Sequence, residues 1–406
     1  MAAYESPLDY MSAKFAGPRT FGVLGVLAAL VLAGLAAAHY MDVNGHWVTG
    51  MNHHVVWGLP HVFAVGLIIT ASGAVNVASM ASVFGQHIYK PYSRLSGVLA
   101  ICLLAGGLAI LVLDLGRPDR LIVAMTEYNF SSIFAWNVFL YVGFAGLVAV
   151  YVWLSMERRL NHLSRSAGLV VFVWRFVLTT GTGCIFGFLV AREAYDAAIL
   201  APTFIAASLC LGTAVFLLVS LALLPQLGTR ISSEVCVRLG RLMAIFLAAN
   251  LYLAIVYHLT NGYAAQHDGW QLFALSDGRG YTTAFWVGQV LFGAIVPMGI
   301  IWSPLGREVM GTAVASTLVV LGGLCQLYVI IIAGQAYPMD LVPGWEIVRS
   351  DWMDGQVAPY APSFPELLLG LGGVAMALLL VAIASRVLAI LPVGREVAEG
   401  PQSSVS

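Results

Sequence analysis

Apolar stretches alternate with short polar breaks along almost the whole chain, at roughly 20–40, 56–83, 93–114, 133–156, 167–191, 201–225, 239–260, 283–302, 310–333 and 366–391. A helix crosses a bilayer core with about 20 mostly apolar residues. The pattern therefore predicts an all-α membrane protein of about ten transmembrane helices spanning residues 20–391, with 1–19 and 392–406 outside the bilayer. Four consecutive helices of alternating direction can bundle. Helices two to five (56–196) and six to nine (201–333) are read as two four-helix bundles, with the first and last helices peripheral. Small residues inside the segments, such as Gly181, Gly183 and Gly187 or Gly322 and Gly323, suit close helix contact in lipid.

Composition sharpens this picture. The 406 residues are 60% hydrophobic and 10% charged, with a mean hydropathy of +0.88. Soluble domains carry about 25% charged residues, so most of this surface is expected to face lipid. A net charge of −1 gives no basic footprint for nucleic acid. Cys102, Cys184, Cys210, Cys236 and Cys325 are scattered and form no C-x-x-C. They read as small packing residues and not as cluster or zinc ligands. No metal-ligating set is expected in this chain. The apolar run at 21–39 is longer than the about 7–15 residues of a signal-peptide core, so it is expected to stay as the first membrane helix.

Charge sets orientation. Lys14, Arg19, Lys90, Arg94, Arg158, Arg159, Arg165, Arg230, Arg238, Arg241, Arg307, Arg386 and Arg395 fall on the side of the N-terminus. Only Arg117, Arg120, Arg192, Arg279 and Arg349 fall on the other, with Arg175 inside helix five. Lys and Arg concentrate in cytoplasmic loops, so both termini are expected in the cytoplasm of a bacterial cell with this chain in its inner membrane. Arg175 is expected to snorkel toward the cytoplasmic interface, with a part in proton conduction as the alternative. The longer segments 41–55, 115–132, 261–282 and 334–365 are then external. They hold Trp270, Tyr337, Trp345, Trp352 and Tyr360, and their length suggests a docking surface as much as simple caps.

Candidate chemistry gathers at the external ends of helices two to five. Asn52, His53, His54, Trp57 and His61 open helix two, and Asp114, Arg117, Asp119 and Arg120 close helix three. Ser131, Ser132, Trp136 and Asn137 open helix four, and Arg192, Glu193, Tyr195 and Asp196 close helix five. Ionisable groups at membrane depth are costly and usually face a protein interior. A quinone needs donors for its carbonyl oxygens, a flat apolar slot for its ring and groups that exchange protons near neutral pH, as histidine does. His61 and Asp114 are the candidate proton-exchanging groups, and Trp57 and Trp136 the candidate slot walls. Asp114 and Arg117, three apart, are expected to pair at a helix end. A plain interfacial role for the histidines, or a turn-fixing ion pair at Asp114, is the simpler alternative. The second bundle offers Asn250, His258, Asn261, Gln289, Gln326 and Gln335.

The segment VLDLGRPDRLIVAMTEYNFSSIFAWNVFLY, with HHVVWGLPHVFAVGLIITASGAVNVASM before it, resembles the NrfD/PsrC family of respiratory membrane subunits. Within it the likeness is strongest to the DsrP branch, from the DsrMKJOP complexes of sulfur metabolism. The resemblance covers roughly residues 15–395. It implies a subunit without haem or iron–sulfur cluster of its own that binds quinone or quinol, menaquinone or ubiquinone, in the first bundle near the external face. It implies a ferredoxin-like iron–sulfur partner (DsrO-like), a multihaem cytochrome c (DsrJ-like), a membrane cytochrome b (DsrM-like) and a cytoplasmic iron–sulfur subunit (DsrK-like). Asn52, His53, His54, His61 and Tyr128 are the counterparts it offers for quinone contacts, without a one-to-one alignment. Asp114 and Arg117 match the family's D-L-G-R-P directly. The rival readings are a passive anchor, a transporter with broken helices at the midplane, and a haem protein using His61 and His258.

Overall fold

A computed structural model describes residues 10–15, 17–127, 129–227, 230–339 and 355–392. Ten helices among them are long and apolar enough to cross a membrane. We label them α1 (Pro18–Asn44), α2 (Leu59–Ser82), α3 (His87–Leu113), α4 (Ile133–Met156), α5 (Asn161–Gly187), α6 (Leu200–Leu223), α7 (Ser233–Tyr263), α8 (Gly280–Trp302), α9 (Val309–Ala336) and α10 (Phe364–Val387).

Lipid removes most of the hydrophobic drive between helices, so packing and polar contacts must hold them together. Among the described residues α2 is the most enclosed span, packed on α3, α6, α9 and α10. The first bundle is closed by α3 against α4, α4 against α5 and α5 against α2. The second is closed by α6 against α7 and α9, and by α8 against α9. The two bundles meet where α2 crosses α6. There Gly73 faces Ser208 and Gly212, and a Cβ at either glycine would collide with the opposing backbone. α1 buries least and lies on α10, which itself packs on α3 and α2.

The first and last described segments meet at one end of the bundle. Strand β1 (Tyr10–Met11) pairs antiparallel with β2 (Leu391–Pro392). Arg94 donates to the carbonyls of Ala389 (3.1 Å) and Ser155 (2.7 Å) and lies over the Tyr10 ring at 3.8 Å. The opposite end carries residues 45–58, 114–127, 129–132, 188–199, 264–279 and 355–363.

Two boundaries differ from the sequence pattern in ways that shape this second end. α2 begins at Leu59 and not near 56, because Pro60 suits a first helical turn, where its missing N–H is not needed. Residues 49–58 before it form an irregular strap. α5 ends at Gly187, so Arg192, Glu193, Tyr195 and Asp196 lie in the connection to α6. There Tyr195 is fully buried and donates to the Ile331 carbonyl at 2.9 Å. Burial pushes its phenol far above the ordinary range.

Candidate functional site

The last turn of α3 leaves Asp114 as its C-terminal cap, with the side chain only 1% exposed. Its carboxylate meets the first turns of α2. His61 Nδ1 lies 2.9 Å from Asp114 Oδ2, an ion-pair distance whose angles are not those of a hydrogen bond. Neither carboxylate oxygen nor His61 Nδ1 has a hydrogen-bond partner among the described residues. His46, from the turn after α1, has Nε2 3.0 Å from the Asp114 main-chain oxygen and 4.0 Å from Oδ1. A buried carboxylate without hydrogen bonds is costly.

An aromatic wall stands beside this pair. The Trp57 ring stacks on His61 with centroids 6.1 Å apart and planes 23° from parallel. Phe134 at the start of α4 lies 5.9 Å from Trp57, and Phe186 at the end of α5 meets it edge-on at 5.7 Å. Elements before α2, at α4 and at α5 thus supply one apolar face, with protonatable groups at its edge.

The other sequence candidates fall into three groups. Asn52 and His54 belong to the strap: Asn52 Oδ1 accepts from the His54 and Val55 amides, both at 2.9 Å, and its Nδ2 donates to the Pro359 carbonyl. His53 stands next to His54, ring centroids 4.5 Å apart. Trp136 donates to the Phe130 carbonyl at 2.7 Å and packs on the Phe130 ring, so Phe134 takes the wall position expected of it. Tyr128, Trp345 and Trp352 lie outside the described residues.

Arg117 does not pair with Asp114. A three-residue pairing needs the helix to continue, but α3 stops at Leu113 and the chain turns before Pro118. Arg117 instead forms a two-pronged contact with Asp119, at 3.0 and 2.9 Å, on the exposed surface. Asp119 raises the guanidinium pKa, and the Arg117 contact lowers that of the Asp119 carboxyl.

Arg175 does not snorkel. It is buried where α5, α2 and α6 meet, donating to Asn76 Oδ1 and, at 3.5 Å, to the Ser72 carbonyl. The Phe176 ring lies 4.6 Å from its guanidinium. Asn76 in turn donates to Thr213 of α6 at 3.1 Å. In the second bundle, His258 Nδ1 contacts Gln271 Oε1 at 2.7 Å, and Asn250 and Gln326 exchange amide hydrogen bonds at 2.8 and 3.3 Å. These groups form a separate polar interior.

Sequence reasoning missed His46, which sits in a polar loop far from Asp114 with no spacing to connect them. It also missed the groups that hold the strap. Glu366, fully buried at the start of α10, accepts from the Gly50 amide (3.1 Å), the Ser363 amide (2.6 Å) and the Tyr360 hydroxyl (3.0 Å). The same hydroxyl accepts from the Leu59 amide at 2.7 Å. The Ser363–Glu366 capping box was legible as S-F-P-E; its reach to Gly50 was not.

The helix inventory defines an integral, multi-pass membrane protein, with the His61–Asp114 contact at one end of its first bundle. Residues 47–339 match the family described as "Polysulphide reductase, NrfD", and the chain belongs to it. It is 28% identical over 381 residues to the Hdr-like menaquinol oxidoreductase integral membrane subunit of Archaeoglobus fulgidus, covering 92% of this chain and 94% of the relative. It is 30% identical over 356 residues to a putative dimethyl sulfoxide reductase membrane subunit of Halobacterium salinarum, covering 80% and 79%. To a selenate reductase subunit of Mesobacillus selenatarsenatis it is 21% identical, covering 92% and 95%.

Proposed function

We propose that this chain is the quinone-interacting membrane subunit of an electron-transfer complex, with its quinol site at His61 and Asp114. The observation that carries the reading is the buried Asp114 carboxylate, without a hydrogen bond among the described residues and 2.9 Å from His61, beside the Trp57 wall. These residues fit the group: a flat ring suits the face made by Trp57 and Phe134, backed by the buried Phe186, and a hydroxyl suits the imidazole and carboxylate at its edge. A bound quinol supplies two electrons and two protons. Asp114 and His61 are the groups that receive or return those protons, and His46 fixes the position of Asp114 through its main-chain oxygen. The name of the Archaeoglobus relative supports menaquinol as the quinone class.

In the finer reading the site end faces the periplasm, the termini are cytoplasmic, and an iron–sulfur subunit docks over the site to exchange electrons. A DsrP-like assembly, with DsrO-, DsrJ-, DsrM- and DsrK-like partners, is the form the sequence resemblance favours. Photolabelling the purified complex with an azido-quinone tests the site. Label displaceable by excess quinol is expected on peptides containing His46 to His61 or Asp114. Displaceable label confined to the second bundle would overturn the assignment.

A further inference from the structure

We propose that Gln335, at the end of α9 in the second bundle, is a positioning residue for the His61–Asp114 site, acting with Arg192 through the strap that carries Trp57. The inference rests on the quinol-site reading above. Gln335 is 1% exposed, and both ends of its amide are fully engaged. Its Oε1 accepts from the Val56 and Trp57 amides, each at 3.0 Å. Its Nε2 donates to the Trp57 carbonyl at 3.0 Å and to the Ile331 carbonyl at 2.8 Å. A primary amide has two donor hydrogens and two acceptor lone pairs, so none is left over. Arg192 closes the clamp from the α5–α6 connection. Its Nη1 donates to the Gln335 carbonyl at 2.7 Å and its Nη2 to the His54 carbonyl at 2.8 Å.

The strap has no helix or strand ladder at Val56 and Trp57, so one side chain supplies the hydrogen bonds that a ladder would. An apolar residue at 335 would leave three part-buried main-chain groups of the strap without the partner that holds them in place, so the strap is expected to shift. Trp57 moves with it, and the Trp57 ring is what stacks on His61. The clamp is aimed by the helix itself. A wide π-helical turn over Val329–Ala333 ends two residues before Gln335. One extra residue in a turn rotates the remainder of the helix by about 100° about its axis. Such turns are frequent at functional sites.

The test uses the assembled complex carrying Gln335→Leu, Gln335→Glu, Arg192→Lys, Ser316→Ala or His61→Ala. Turnover of a water-soluble menaquinol analogue is resolved into KM and kcat, and azido-quinone label is quantified. Misplacing a site by about 1 Å can cost about 10²-fold, so Gln335→Leu is expected to raise KM about tenfold or more and to cut displaceable label in proportion. Gln335→Glu keeps acceptors for Val56 and Trp57 and loses the donor to the Trp57 carbonyl, so it is expected to fall between. Ser316, buried in α9 far from the strap, serves as the packing control and keeps wild-type KM. Wild-type KM and label in Gln335→Leu, with His61→Ala inactive, would overturn the clamp and leave the site standing. Wild-type turnover in both would overturn the two together. If Gln335→Leu fails to assemble, the KM values of Gln335→Glu and Arg192→Lys decide, and unchanged values in both overturn the clamp.

Discussion

His61 and Asp114 come from different helices and meet at 2.9 Å, with both carboxylate oxygens lacking a hydrogen bond among the described residues. A purely structural carboxylate at a helix end would normally be saturated by amides or by an arginine. The nearest arginine in sequence, Arg117, is spent on Asp119 at the surface. The arrangement leaves a buried carboxylate facing a single imidazole, with no amide or arginine beside it among the described residues. That is useful to a group that must pick up and release a proton.

Asp114→Asn keeps the shape of that group and removes its proton exchange; His61→Gln does the same for the imidazole. In assembled complex each is expected to lower quinol turnover by about 10²–10⁴-fold, the usual loss for one acid–base group. Steady-state kinetics against pH, with assembly checked on a native gel, reads it. Near-wild-type turnover and an unchanged pH profile in both variants would move the search to His258 and the second bundle.

The proposed orientation rests on the thirteen Lys and Arg on one side against five on the other. In a background whose own five cysteines are replaced, an impermeant thiol reagent added outside the cell is expected to tag Ser276→Cys and spare Ser403→Cys. The reverse pattern would put the His61 end in the cytoplasm and remove the periplasmic partner from the reading.

An iron–sulfur partner that exchanges electrons at this site must sit over it. Crosslinks from that partner are therefore expected to land in 115–132 or 334–365. Crosslinks mapping only to the β1–β2 end would rule out docking over the site.

Much of this was readable from sequence. Ten spans follow from apolar length alone, and Asp114 and His61 stood out as ionisable groups at membrane depth. Two kinds of fact were not readable. The strap at 49–58 depends on Gln335, Tyr360 and Glu366, whose contacts reach hundreds of residues along the chain and leave no periodic trace. The fate of Arg117 and Arg175 depends on where a helix stops and which faces meet. Arg117 lost its expected partner because α3 ends before reaching it. Arg175 turned inward because Asn76, Ser72 and Phe176 line a pocket that a single-helix view of snorkelling does not contain.

The crossing of α2 and α6 offers a packing test of the two-bundle arrangement. A Cβ at Gly212 would run into the backbone of Gly73, which cannot yield as a side chain can. Gly212→Leu is expected to abolish accumulation of folded protein, whereas Gly146→Ala, where a Cβ meets nothing, is expected to leave it unchanged. Fluorescence-detected size-exclusion chromatography reads both. A monodisperse Gly212→Leu peak at wild-type height would refute the close crossing.

The strap also gives a pH prediction. Burial, and then the negative charge of Glu366, push the Tyr360 phenol well above its ordinary value of 10.0. A raised pKa means that the folded state keeps the proton while the unfolded state releases it. The stabilising contribution of Tyr360 is therefore complete below about pH 10 and declines as pH climbs above that value toward the folded pKa. Tyr360→Phe removes the hydroxyl that donates to Glu366 and accepts from Leu59. At pH 8 the variant is expected to melt below wild type, and the gap is expected to narrow between pH 10 and pH 12. Thermal unfolding in detergent across that range separates Tyr360 from the other buried tyrosines, because they are common to both proteins and cancel in the difference. A gap that stayed constant or widened with pH would mean that folding does not raise the phenol's proton affinity, and no gap at pH 8 would mean that Tyr360 holds the strap by packing alone, its hydroxyl carrying none of the tie between α10 and α2.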